Sequence, residues 1–67
     1  MPVERVTRVK GSSAISFQDA LDEGLSRANQ TLRGITQIDV LSQKARVQKG
    51  LIQEYVVEID ITFILEE

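Results

Sequence analysis

The sequence predicts an α+β protein of order β-α-β-β, a three-stranded antiparallel sheet curled around one helix. Three observations predict it. Toward the C-terminus, Leu51, Gln53, Tyr55, Val57, Ile59, Ile61, Phe63 and Leu65 occupy successive odd positions, seven of the eight apolar or aromatic. The intervening Glu54, Glu58, Asp60, Thr62 and Glu66 make the other face largely polar, which is the period-two pattern of a half-buried strand. Upstream, Phe17, Ala20, Leu21, Gly24, Leu25, Ala28 and Leu32 recur at intervals of three and four, the single apolar stripe of an amphipathic helix. Before the long strand, Gln48-Lys49-Gly50 reads as a turn with Lys49-Gly50 at its tight centre.

Each element has its own signals. Val3 to Lys10 reads as the first strand because valine and threonine recur through it, with an alternation poor enough to suggest a bulge. Gly11-Ser12-Ser13 reads as the break after it. Ser16 is the expected helix N-cap, with Asp19 three residues later as an acidic relative of the capping box. Asp19, Asp22 and Glu23 lie near the start of the helix, and Arg27 and Arg33 near its end, which complements the helix dipole. Gly34 is placed to close the helix in a left-handed conformation. Gly24 costs about 1 kcal/mol relative to alanine inside a helix, so its place on the apolar stripe predicts that the helix touches a strand there. The second strand is expected from about Ile35 to Val47.

These lengths do not match. A strand of fifteen residues runs roughly 50 Å, whereas a helix of about 17 residues covers roughly 25 Å. One helix cannot cover such a sheet, so the chain is expected to finish its core against copies of itself. Size agrees: at 67 residues a single core is only marginally sufficient, and oligomerisation is an ordinary remedy.

Composition narrows function. Cysteine and histidine are absent, which removes disulfides, thiolate metal sites, imidazole bases and the usual zinc ligands. Ser12, Ser13, Ser16 and Ser26 have no histidine partner, and no paired carboxylates form a recognisable acid/base arrangement, so no enzyme is expected. A net charge of −2 offers nucleic acid no global attraction. Aromatics on a sheet can stack single strands, but Tyr55 and Phe63 lie on the face that needs the helix and are read as core against Phe17, Leu21 and Leu25. There is no apolar run near 18 residues, and Met1-Pro2-Val3-Glu4-Arg5 lacks the apolar core of a signal peptide, so a soluble cytoplasmic protein of one domain, residues 1–67, is the expectation. Two constellations invite a ligand. Lys44, Arg46 and Lys49 make the second strand and its turn locally basic, suited to a phosphate-bearing molecule or simply to keeping an exposed edge soluble. Glu54, Glu58 and Asp60 share one face of the last strand, and in a symmetric assembly Glu58 and Asp60 are candidate ligands for Ca²⁺ or Mg²⁺, or for sodium at a symmetry axis.

The order, spacing and total length of these pieces carry a resemblance. Val9-Lys10-Gly11-Ser12-Ser13, then Gly24-Leu25-Ser26-Arg27-Ala28 and Thr31-Leu32-Arg33, then Ile61-Thr62-Phe63-Ile64-Leu65-Glu66 together resemble the dodecin family. That resemblance spans essentially the whole chain. It implies a hollow homododecamer of β-α-β-β protomers, with flavins (riboflavin, FMN or FAD) held in pairs at two-fold interfaces for storage or protection against photochemistry. It implies nucleotide or coenzyme A as the phosphate-bearing candidates for Lys44 and Arg46. It also implies that the family's flavin-stacking tryptophan corresponds to Gln37, and the family's flavin-bonding glutamine to Val56. Stacking on a base-like ring is worth roughly 1–3 kcal/mol, or about one to two decades of affinity, so flavin binding is expected to be weak or lost here. The alternative is a structural or cation-binding shell without flavin.

Overall fold

A computed structural model of the chain describes residues 3–65. Glu66, assigned above to the polar face, lies outside the described residues. Strand β1 (Val3–Ser13) leads to helix α1 (Phe17–Thr31), and β2 (Ile35–Gln48) and β3 (Leu51–Leu65) form a hairpin. The strands make one antiparallel sheet in the order β1-β3-β2, so β3 is central and both others are edges. The fold class predicted from sequence is the one observed.

β3 is buried where the helix lies over it and open where it does not. Val57, Ile59 and Ile61 are almost completely buried and, with Ala20 and Ala28, form the core. At the two ends of the same face Leu51 and Leu65 are exposed, 66% and 41%. Phe17 and Tyr55 meet edge to face, with ring centroids 4.9 Å apart, which confirms Tyr55 as a packing residue. The helix contributes only small side chains to full burial, Ala20, Gly24 and Ala28. That brings its backbone close to the sheet, while Phe17 and Leu21 flank the contact half-buried. The long axis of the protomer is 52 Å, the length expected of β3.

Several boundary expectations are corrected. Gly11-Ser12-Ser13 does not break β1: Gly11 pairs with Val57 and Ser13 with Tyr55, so the ladder continues to Ser13. The glycine serves the close approach of the helix instead. A methyl at Gly11 would run into the Ala20 carbonyl oxygen and sit 3.1 Å from the Gly24 nitrogen. The register of β1 against β3 is uninterrupted; the irregularities lie between β2 and β3, at Ile35/Gln37, Val40/Ser42 and Arg46/Val47. Bulges of this kind twist an edge strand. Helix α1 has 15 residues rather than about 17 and is capped by Leu32, which is extended and bonds back to the Ala28 carbonyl. Gly34 is left-handed (φ 73°), but it opens β2 rather than closing the helix: its carbonyl accepts from the Ile64 N–H at 3.0 Å.

Three local expectations stand and one does not: the last turn of α1 holds no basic residue, because Arg33 falls beyond the helix end. The Ser16 hydroxyl accepts from the Asp19 N–H at 2.9 Å, and the Ser13 hydroxyl donates to the Asp19 carboxylate, which ties the end of β1 to the first helical turn. Lys49 and Gly50 both have positive φ, 54° and 75°, as a two-residue hairpin turn requires. Gly24 faces Gly11, as its place on the stripe predicted.

Candidate ligand-binding site

The face of the sheet turned away from α1 is built from the even positions of β1 and β3, and its chemistry follows from cross-strand register. Lys10 lies opposite Glu58, which lies opposite Ser42; Ser12 lies opposite Val56, which lies opposite Lys44; Glu54 lies opposite Arg46. These rows put Lys10, Ser42, Lys44, Ala45, Arg46, Val56 and Glu58 around one depression of about 290 Å³. Val56 is its buried floor, 8% exposed. Arg46 is held over the rim by Glu54, with Nε to Oε1 at 3.1 Å. Four sequence-predicted residues, Val56, Lys44, Arg46 and Glu58, are therefore neighbours, with a buried apolar floor and three basic groups beside it.

Asp60 and Gln37 lie elsewhere. Arg8 is opposite Asp60 in register and grips its carboxylate at two points, Nε to Oδ1 at 2.8 Å and Nη2 to Oδ2 at 3.3 Å. Hydrogen bonding to Arg8 holds the Asp60 carboxyl below the ordinary carboxylate range, with partial burial opposing the shift and the charge of Arg8 adding to it. The same pair raises Arg8. Glu58 and Asp60 thus share a face but sit in separate settings, and among the described residues no three carboxylates come together as a metal cluster would.

Gln37 is opposite Thr62, exposed, and its Nε2 donates to both oxygens of Asp39 at 3.1 and 3.3 Å. Thr62 and Val56 are six residues apart on β3, roughly 20 Å at strand rise. Within one protomer, Gln37 and Val56 do not share a pocket.

Sequence reading missed Lys10, Ser42, Asp39 and Arg8. Arg8 and Lys10 alternate on β1, and that alternation was legible; their partners were not, because pairing Arg8 with Asp60 requires knowing the register. A larger hollow of about 520 Å³ lies between β1 and α1, lined by Gly11, Glu23, Gly24 and Arg27 among others. Apart from Lys10, which stands at the β1 edge, it shares no residue with the depression over Val56.

A family model described as Dodecin matches residues 3–66. No curated protein sequence matches the chain significantly. Among solved structures, a dodecin from Streptomyces davaonensis is 29% identical, with a TM-score of 0.94 over 98% of this chain and 97% of that one. A Thermus thermophilus dodecin variant is 27% identical, with a TM-score of 0.95 and full coverage of both chains. A protein from Mycobacterium tuberculosis, named as a calcium-chelating antigen and calcium dodecin with a novel calcium-binding site, is 26% identical, with a TM-score of 0.83 over 96% of this chain and 91% of that one. With its fold matched end to end and the family model spanning nearly its whole length, this chain belongs to the dodecin family.

Proposed function

We propose that the chain assembles into a homododecameric shell and holds a small ligand there without catalysing a reaction, with flavin bound more weakly than in family members that carry the stacking tryptophan. The observation that carries the reading is the separation of Gln37 from Val56 by roughly 20 Å of strand. Two positions of one family ligand site that far apart on a protomer can serve one ligand only if another copy supplies one of them. The uncovered apolar residues at the ends of the sheet, Leu51, Ile52 and Val47 at the hairpin and Val3 and Leu65 at the other end, provide the driving force for bringing copies together. The chain is read as a single domain working in the cytoplasm, and no helix among the described residues is long and apolar enough to cross a membrane.

At Gln37 an amide replaces an indole, and at Val56 an isopropyl group replaces a hydrogen-bonding amide. The first change removes a stacking surface and the second a hydrogen bond to the edge of the ring. The test is a titration of riboflavin and FMN fluorescence with the wild-type protein and with Gln37→Trp combined with Val56→Gln. Saturable quenching by the wild type, and at least tenfold tighter binding by the double variant, support the reading. Failure of the double variant to gain affinity contradicts it.

The calcium-chelating relative favours a second reading, a cation-binding shell in which copies of Glu58 gather at a symmetry axis. Asp60 is the weaker candidate because Arg8 already occupies its carboxylate. Calorimetric titration with CaCl₂ and MgCl₂ separates the two: this reading expects saturable heat that Glu58→Gln abolishes and Asp60→Asn leaves largely intact. No heat from the wild type rejects it.

A further inference from the structure

The geometry points to Asp39 as a positioning residue for Gln37 and as the group that makes this end of the site prefer an uncharged ring ligand over a phosphorylated one. The inference rests on the reading above in which Gln37 faces the ligand. A carboxylate only accepts hydrogen bonds, so two contacts from Nε2 to Asp39, at 3.1 and 3.3 Å, settle which way the amide is turned. One N–H of the amide is shared between the Asp39 oxygens, which leaves the carbonyl oxygen and the second N–H free. Such a glutamine presents a ligand with a fixed acceptor oxygen and one remaining donor.

Asp39 lies opposite Asp60 on β3, and Asp60 lies opposite Arg8 on β1. Both contacts of Arg8 go to Asp60, and among the described residues Asp39 forms no ion pair. The row Arg8, Asp60, Asp39 therefore carries one cation and two carboxylates, and the carboxylate left over is the one that holds Gln37. From the protomer that supplies Gln37, a ligand seated on it meets a net negative row. For a phosphate dianion about 10 Å from a carboxylate at low salt, the penalty corresponds to roughly threefold in affinity, and it fades as salt is added. The basic depression over Val56 would work in the opposite sense, so the sign of the preference shows which group the ligand's tail meets.

The test compares riboflavin and FMN, which share a ring and differ in a phosphate, by fluorescence titration at low salt. Asp39→Asn keeps an acceptor for the Gln37 amide and removes the charge; Asp39→Ala removes both. The expected result is riboflavin bound roughly threefold more tightly than FMN by the wild type, a preference that disappears in Asp39→Asn while riboflavin affinity stays within about twofold. In Asp39→Ala riboflavin affinity itself should fall. A second readout needs no ligand: the Gln37 side-chain amide resonances of the wild type should lie away from free-glutamine values and move toward them in Asp39→Ala. Flavin bound with the same FMN-to-riboflavin ratio in wild type and Asp39→Asn, or FMN preferred by the wild type, overturns the inference and leaves the flavin reading intact. Displaced amide resonances with no flavin bound by any variant overturn the flavin reading, and the ligand preference with it, while the positioning role of Asp39 stands. Free-glutamine resonances in the wild type overturn that role.

Discussion

The middle of β3 and its two ends have the same alternating pattern and opposite fates. Under α1, Val57, Ile59 and Ile61 are 2%, 0% and 0% exposed; at the ends of the same face, Leu51 and Leu65 are open to solvent. The difference is the reach of the helix, since 15 residues of helix run roughly 22 Å beside a sheet whose long axis is 52 Å. The pattern of a strand shows which face is apolar. What covers that face is decided by the lengths of its neighbours. Here the chain encloses its own middle and leaves the ends of that face exposed.

Paired substitutions sharpen that contrast. The largest effect is expected at Ile59. Ile59→Ala removes fully buried methyl groups beneath the helix and should cost about 2–5 kcal/mol, read as a lowered denaturation midpoint. Leu51→Ala at the hairpin end should lower the native mass or raise the protein concentration needed for assembly, with far less effect on protomer secondary structure. Equal loss of secondary structure in the two variants would erase the distinction between middle and ends.

The next pair sits where the helix touches β1. Gly11→Ala puts a methyl against the Ala20 carbonyl and the Gly24 backbone and should destabilise by about 1–3 kcal/mol, the usual cost of overpacking. Gly24→Ala meets only ordinary contacts, with the Gly11 Cα and Ile59 Cδ1 each 3.6 Å from the new carbon. It should stabilise by up to about 1 kcal/mol through helix propensity. Thermal unfolding of both variants checks the signs, and a stabilised Gly11→Ala would show that the helix does not pack this closely.

The smallest effect belongs to the Arg8–Asp60 pair on the polar face. Because Asp60 is held below the ordinary carboxylate range in the folded protein, its contribution is present at pH values above the unfolded carboxylate pKa. It is lost as the pH falls through the lower folded value. Asp60→Asn should therefore flatten the acid side of the stability profile below about pH 4 and change little at neutrality. An unchanged acid limb in the variant would show that the pair does not persist in solution.

Much of this architecture was legible because it rests on local chemistry. The odd positions of β3, the Ser16 cap and the Lys49-Gly50 turn each depend on residues close together in the chain. Gly11 misled because a glycine that ends a strand and a glycine that lets a helix approach look alike in sequence; only the position of Ala20 above it distinguishes them. The extra residues at the β2 irregularities left no local mark. The candidate site was legible in part: Lys44, Arg46, Val56 and Glu58 do surround one depression. The Arg8 grip on Asp60 and the Asp39 hold on Gln37 depend on register and rotamer, which the chain order does not carry.

The most direct test of self-completion is the native mass of the purified protein, by analytical ultracentrifugation or native mass spectrometry at micromolar concentration. A single species of twelve chains is predicted. A stable, fully folded monomer would contradict it, because Val47, Leu51, Ile52 and Leu65 would then remain in water with nothing to cover them.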